Sequence, residues 1–294
     1  MKISTTQFFK TSTEQMQSRQ RTVSDIQAQL GSGKQVVNPS DAPRKANLVS
    51  QLESAKELQA TYLRNVEAAR TRMTSEETVM TAMTDIAQRV VELTIQAGND
   101  TLGDEDRDII AAEVQALRNE LLNLANTKDL SGNYIFSGNK TQAPAFIEDA
   151  TGTVEYNGDH GRQHINISEV RSLSVNTLGI ELFSTENFAA LDELVVNLRS
   201  NNGSGIRASL TDANEILDKL TVSFGDMAGR MTALDSQFEI IEDTQLRLDK
   251  LLMSENDVDY AQAVTELSRE SLALQALQAS FSKLSQLSLF NYIR

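Results

Sequence analysis

The chain has 294 residues and a formal net charge of −14, and it contains neither Cys nor Trp. The absence of Cys excludes disulfides, thiolate catalysis and cysteine-ligated zinc, and no basic stripe is present to neutralise nucleic acid or an anionic membrane surface. No apolar run approaches the roughly 18 residues that indicate a membrane-spanning helix. We therefore expect no nucleic-acid partner and no insertion into a membrane.

The first 30 residues contain no Gly or Pro and predict a helix with a narrow apolar stripe. The stripe recurs at intervals of seven, at Phe9, Met16, Val23 and Leu30. A stripe one residue wide is too thin to stabilise a helix without a partner. The stretch Met1–Lys10 also lacks the apolar run of a secretory signal peptide, so we expect any export to follow another route.

A long helix is predicted to follow the break at 31–33 and the Pro-bracketed stretch Asn38–Pro43. Ser40 or Asp41 can cap its N-terminus, and Pro43 is tolerated in its first turn. Twelve of 15 positions at alternating steps of four and three are apolar, which indicates a coiled-coil seam. These positions are Leu48, Leu52, Ala55, Gln59, Tyr62, Val66, Ala69, Met73, Glu76, Met80, Met83, Ala87, Val90, Thr94 and Ala97.

A shorter helix is predicted after the turn at 98–103. Its apolar face carries Ile110, Val114, Leu117, Leu121 and Leu124. The acidic run Asp104–Asp108 lacks the central Gly and terminal Glu of a calcium loop. We interpret this run as carboxylates favoured by the N-terminal dipole of the helix.

The middle of the chain is predicted to be a small β-rich insertion. Six of the 14 glycines and one of the three prolines fall between residues 132 and 179. Alternating runs occur at Thr153–Tyr156 and His164–Ile167, and Asn157-Gly158 between them predicts a hairpin turn. A short helix from about Thr185 to Arg199 is expected to lead back to the helical part.

A second seam occupies the C-terminal half, and 13 of its 14 positions are apolar. Its positions are Ile206, Leu210, Ala213, Leu217, Leu220, Phe224, Met227, Met231, Leu234, Phe238, Ile241, Gln245, Leu248 and Leu252. A helix carrying either seam would be roughly 70–80 Å long. We therefore predict a mainly α fold, a long antiparallel coiled-coil bundle with terminal helices and a small inserted β-rich domain.

A last helix, over about 258–291, again carries one apolar side, with Ser and Gln elsewhere. That side consists of Val264, Leu267, Leu274, Leu277, Phe281, Leu284 and Leu287. Matched thin stripes at both ends are what pairing of the termini requires. The expected organisation is a terminal helix and linker (1–40), a rod half (41–131), the β-rich insertion (132–182), the second rod half (183–254) and the C-terminal terminal helix (255–294).

No motif indicates catalysis, a cofactor or a metal site. Gly31-Ser32-Gly33-Lys34 lacks the preceding Gly and following Ser or Thr of a phosphate-binding loop. His160 and His164 flank turn and strand residues rather than lying on one helical face. No nucleophile and base are paired by sequence, so we expect a structural protein and not an enzyme.

The order of elements resembles the flagellin superfamily, and the junction motifs resemble its hook-associated protein 3 family, which joins hook to filament. The motifs are Leu30–Lys34 with Val37–Pro43, Gly132–Gly138 with Lys140–Phe146, and Ala276–Phe281 with Leu284–Ile293. Ala42 stands where that family often has an acidic residue. The resemblance covers essentially the whole chain.

The resemblance implies a structural subunit that assembles as a ring at the hook–filament junction, outside the cell. It implies export through the flagellar type III apparatus without a cleaved signal peptide. The implied partners are copies of the chain itself, hook-associated protein 1, flagellin, the export apparatus and an export chaperone. The chaperone would bind the C-terminal segment, which includes Leu274, Leu277, Phe281 and Leu284.

The residues predict where copies meet and which side chains hold each copy together. We expect the terminal stripes to form the subunit interface, with both ends largely disordered in a free monomer because ordering entropy outweighs their burial. The expected rod-domain seam comprises Leu52, Tyr62, Val66, Met73, Met80, Met83, Leu217, Phe224, Met231, Leu234, Phe238 and Ile241. A flagellin is the nearest alternative, and a coiled-coil secretion or interaction adaptor is an alternative of another class.

Overall fold

A computed structural model describes residues 2–129 and 131–290, with side chains described for all of these except residues 2–6, 284 and 286–290. The chain divides into two units. The terminal unit combines the N-terminal part up to Leu58 with the C-terminal part from Asp243, and the inner unit is Gln59–Glu242. Two long helices, α2 (Pro43–Ala97) and α6 (Gly203–Asn256), contribute to both units.

The terminal unit contains α1 (Lys2–Ser32) and α7 (Tyr260–Phe290). It also contains the first turns of α2 and the last turns of α6. Ion pairs join Lys45 to Glu255 at 3.7 Å and Lys56 to Asp249 at 2.5 Å. The partner on α6 has a lower residue number when the residue on α2 has a higher one, so these helix ends run antiparallel.

The inner unit has the main apolar core of the described chain, and both seams contribute to it. Every predicted position of the first seam from Val66 to Ala97 is buried. On the second seam alternate positions are buried, namely Ile206, Ala213, Leu220, Met227, Leu234 and Ile241. Leu217, Phe224, Met231 and Phe238, which lie between these positions, pack against the same core while partly exposed, as does Tyr62. The predicted mainly α fold with paired long helices is confirmed.

The inner unit also contains α3 (Asp104–Ala125), α4 (Gly179–Leu182) and α5 (Thr185–Arg199). The acidic residues Asp104, Glu105 and Asp106 lie in the first turn of α3, as predicted. Their carboxylates face the positive end of the helix dipole. The helices α3 and α5 pack with Cα atoms within 8 Å of each other.

The β-rich insertion consists of two separate antiparallel hairpins. Strand β1 (Phe146–Glu148) pairs with β2 (Val154–Tyr156), with Ile147 opposite Glu155. Strand β3 (His164–Asn166) pairs with β4 (Ser172–Ser174), with Ile165 opposite Leu173. Both pairs are only three residues long, so helices and loops must complete their burial.

The prediction of a hairpin turn at Asn157-Gly158 is wrong, because β2 does not pair with β3. The backbone N–H of Asn157 instead donates to the carbonyl oxygen of Ala145 at 2.8 Å and extends the first hairpin. The turn of that hairpin is built by Asp149, whose Oδ1 accepts the N–H groups of Thr151 at 2.8 Å and Thr153 at 2.9 Å. Gly152 supplies the positive φ of 86° that this turn requires.

An aromatic cluster anchors the first hairpin on the helices. The ring of Phe146 lies 5.4 Å from Tyr156, 6.2 Å from Phe183 and 5.7 Å from Phe188 in edge-to-face geometry. Gly179 passes so close that a Cβ atom there would lie 2.8 Å from the Phe146 ring. Among the described residues, no helix is both long and apolar enough to cross a membrane.

Candidate assembly interface

The two terminal helices pair along their predicted stripes. Cα atoms of α1 and α7 approach within 8 Å, and the ring of Phe9 meets that of Phe281 edge-on at 5.3 Å. Farther along α1, Arg19 pairs with Glu270. The partner of Arg19 thus lies earlier on α7 than the partner of Phe9. The two ends of the chain therefore form one antiparallel helix pair.

Very little of this pair is buried within a single copy. Among the described side chains of α1 and α7, those of Ile26, Ala263 and Glu270 alone are buried. The predicted stripe residues are half-buried, namely Phe9, Met16, Val23, Leu30, Leu267, Leu274, Leu277 and Phe281. Val264 is 51% exposed, and the side chains of Leu284 and Leu287 lie outside the described part. The pair therefore presents apolar surface that one copy does not cover.

The α1–α7 contact includes positions that the predicted apolar stripes leave out. The inner face of α7 follows alternating steps of four and three through Ala263, Leu267, Glu270, Leu274, Leu277 and Phe281. On α1, Arg19 and Ile26 occupy the matching positions between Met16, Val23 and Leu30. We overlooked this heptad because two of its positions are charged, although the spacing itself was visible in the sequence.

The charged pair at the centre of this heptad orients the two helices. Arg19 Nη1 donates to Oε1 of Glu270 at 2.7 Å and to Oε2 at 2.5 Å. The Glu270 side chain is only 7% exposed, whereas that of Arg19 is 46% exposed. A buried charged position is a common device for setting the register of paired helices.

A short backbone ladder ties the two linkers of the terminal unit together. Gln35 N–H donates to Asn256 O at 2.6 Å, and Val258 N–H donates to Gly33 O at 3.0 Å. Gly33 has a φ of 72°, and a Cβ atom there would lie 3.1 Å from the Tyr260 hydroxyl. The segment that resembled a phosphate-binding loop is therefore a helix end joined to the opposite linker.

Other apolar side chains of the terminal unit face away from the α1–α7 contact. Tyr260 and Leu272 on α7 are 55% and 68% exposed, and Leu246 and Met253 on α6 are 54% and 62% exposed. Leu246 and Met253 are seven residues apart and so share one helix face. Among the described residues, no group of three or more His, Asp or Glu side chains could hold a metal ion.

Comparison with known proteins agrees with this architecture. The bacterial flagellin N-terminal helical region matches residues 3–141. Flagellar hook-associated protein 3 of Escherichia coli (strain K12) is 30% identical over 290 residues, covering 89% of this chain and 90% of that protein. The flagellin of Bacillus subtilis (strain 168) is 24% identical over 220 residues, covering 71% of this chain and 72% of the flagellin.

Solved structures share the fold. The crystal structure of Xanthomonas campestris FlgL superposes with a TM-score of 0.61 at 17% identity, over 70% of this chain and 99% of that one. Because the Escherichia coli relative is a flagellar hook-associated protein, the paired terminal helices, long heptad helices and β insertion are those of a flagellin-like structural protein of the bacterial flagellum. By its similarity to the Escherichia coli protein, the chain belongs to the flagellar hook-associated protein 3 family.

Proposed function

We propose that this chain is a structural subunit that joins the flagellar hook to the filament and assembles as a ring through α1 and α7. The observation that carries the proposal is the half-buried apolar stripe along the α1–α7 pair. Neighbouring copies would cover that stripe, and burial of apolar surface contributes about 25 cal/mol per Å². The role is structural and involves no catalysed reaction.

Folding of the two ends is coupled to assembly in this proposal. One copy buries three described side chains of α1 and α7, whereas ordering each backbone residue costs about 1–2 kcal/mol. A dilute monomer would therefore hold its ends loosely, and neighbours would supply the missing burial. Slowly exchanging backbone amides throughout both ends of a dilute monomer would contradict this coupling.

The proposed partners follow the order of the hook–filament junction. Hook-associated protein 1 would lie on the hook side and flagellin on the filament side, with further copies of this chain in the ring. Before assembly, an export chaperone would bind Leu274, Leu277, Phe281 and Leu284. The type III export apparatus would then pass the chain, unfolded and without a cleaved signal peptide, to the outside of the cell.

Seeded assembly with negative-stain electron microscopy tests the junction role. The purified chain is added to isolated hooks that carry hook-associated protein 1, and to hooks without it. We expect one short added layer on the first and soluble protein in the second. Long filaments from the chain alone would instead identify a filament subunit, the role to which the flagellin similarity points.

A further inference from the structure

Glu76 is a carboxylate in a position that the heptad normally gives to an apolar residue. It lies on the first seam of α2 between Met73 and Met80, and all three side chains are fully buried. Placing an ionised carboxylate there costs free energy unless its partners compensate. The contacts of its two oxygens therefore indicate what the residue does.

One oxygen of Glu76 begins a chain of hydrogen bonds across the inner unit. Oε2 accepts from the Thr177 hydroxyl at 3.1 Å, and that hydroxyl accepts from Arg230 Nη2 at 2.9 Å. Arg230 Nη1 also donates to the carbonyl oxygens of Ser174 at 3.2 Å and Asn176 at 3.1 Å. The segment that leaves β4 is thus held between α2 and α6.

The other oxygen, Oε1, has no hydrogen-bond partner among the described residues. Its nearest cation is Arg72, whose Nε lies 3.8 Å away. Arg72 Nη1 instead donates to Gln163 Oε1 at 2.5 Å, directly before β3. The base of the β3–β4 hairpin is therefore fastened to the long helices by two arginines, and Glu76 lies between them.

Burial raises the pKa of Glu76 to about 7, against lowering contributions from Arg72, the Thr177 hydroxyl, Arg230 and the Thr177 backbone. Arg72 and Arg230 face the carboxyl from α2 and α6, and Thr177 faces it from the segment after β4. Around these, Arg230 lies 3.1 Å from Asp226. Desolvation opposes the shift at Asp129, but hydrogen bonds from the backbone of Asn133 and Ser131 and, to a smaller extent, the charge of Arg72 hold the pKa of Asp129 below its usual value.

We propose that Glu76 is a proton-operated latch that fastens the β3–β4 hairpin to α2 and α6, holding firmly when its carboxyl is neutral and loosening when it ionises. The geometry supports this, because ionisation places a charge in the apolar seam with only one of its oxygens hydrogen-bonded. The latch belongs to the inner unit and does not depend on the proposed ring.

The sign of the pH effect follows from proton binding. A carboxyl with a folded pKa near 7 holds its proton between about pH 4.5 and 7, where the opened state has lost it. Stability of the latch therefore falls as pH rises through this window. Between pH 6 and 8.5 the opened population should increase roughly tenfold.

Hydrogen–deuterium exchange of the intact chain tests the latch. The reporting amides are Val175, which donates to Gln163 O at 2.8 Å, and Ile167, which donates to Arg171 O at 3.0 Å. After correction for intrinsic exchange, we expect their protection to fall roughly tenfold from pH 6 to 8.5. Glu76→Gln should remove this fall, and Glu67→Gln, which changes an exposed carboxylate on the same helix, should retain it.

A second variant keeps the test decisive if Glu76→Gln folds poorly. Thr177→Val removes the hydroxyl that donates to Glu76, so the fall in protection should move to higher pH. The amide of Asn157 in the first hairpin is the internal control. An unchanged pH profile in Glu76→Gln, or an equal loss of protection at Asn157, would overturn the latch.

Discussion

The side chain of Arg118 on α3 contributes to holding the first hairpin on its supporting helices. Its side chain is 3% exposed, and its guanidinium lies 2.8 Å from Glu148 on β1 and 3.0 Å from Asp192 on α5. The guanidinium carbon also lies 5.7 Å from the centre of the Phe188 ring. One buried cation on α3 therefore serves both carboxylates and an aromatic face.

Arg118→Ala should lower the free energy of unfolding of the inner unit by about 2–3 kcal/mol. Breaking a buried pair costs about 3–5 kcal/mol, and the partly exposed carboxylates recover some of this in water. Urea denaturation followed by circular dichroism measures the loss. Arg171→Ala, at an exposed position beside β4, serves as the control, and equal losses in both variants would contradict the role of Arg118.

At the scale of elements, the terminal helix pair differs from the long helices in how far its apolar side chains are buried within one copy. The seam of α2 from Val66 onward is fully buried within one copy, whereas the stripe of α7 is half-buried. A substitution on α7 is therefore expected to act on association between copies. The same kind of substitution on the α2 seam would unfold the single copy.

Phe281→Asp should block assembly onto hooks and leave thermal unfolding of the inner unit unchanged. A charge at this site would be buried without a partner only in the assembled state, and the Phe9 ring contact would be lost. Leu274→Asp should behave in the same way. Sedimentation of seeded assemblies and calorimetry of the monomer measure the two effects.

The matched control for Phe281→Asp is Ser282→Asp, which adds the same charge at the neighbouring exposed position. We expect Ser282→Asp to assemble at least about tenfold faster than Phe281→Asp, a difference of about 1.4 kcal/mol. A large loss of monomer stability in Phe281→Asp would place its main contact inside one copy and contradict the proposed interface.

At the scale of the whole molecule, the net negative charge of the chain comes from the inner unit. Residues 59–242 contain 29 Asp and Glu against 14 Lys and Arg, a net charge of −15. The terminal unit contains 12 against 13, a net charge of +1. In the proposed ring, copies would meet through a nearly neutral unit while their inner units repel one another.

The rate of seeded assembly should therefore rise as NaCl increases from 0.05 to 0.5 M, because the Debye length falls from over 10 Å towards about 4 Å. Light scattering during assembly measures the rate. Sucrose at matched osmolality separates charge screening from solute exclusion. A rate that falls with salt would show that attraction between opposite charges, and not screening of repulsion, controls assembly.

The helical architecture can be predicted from the sequence, because helix signals are local and repeated. The short helix predicted over about 185–199 is α5 (Thr185–Arg199), and the last helix predicted over about 258–291 is α7 (Tyr260–Phe290). Both seams could be read because alternating steps of four and three persisted over some 50 residues. The junction motifs that resemble the family could also be recognised, because each is a contiguous run of residues.

Features that depend on pairs of residues distant in sequence are set by tertiary contacts and cannot be predicted in the same way. The turn at Asp149 replaced Asn157-Gly158 because strand pairing and burial chose among local turn signals. In the sequence, Arg19 and Glu270 look like solvated charges. They are 251 positions apart and form an ion pair only because α1 packs against α7. In the sequence, Glu76 likewise appears as a polar interruption of the apolar seam. Its partners Thr177 and Arg230 are identified only by the structure. The physical reason is that sequence periodicity does not specify which distant residues compensate a buried charge.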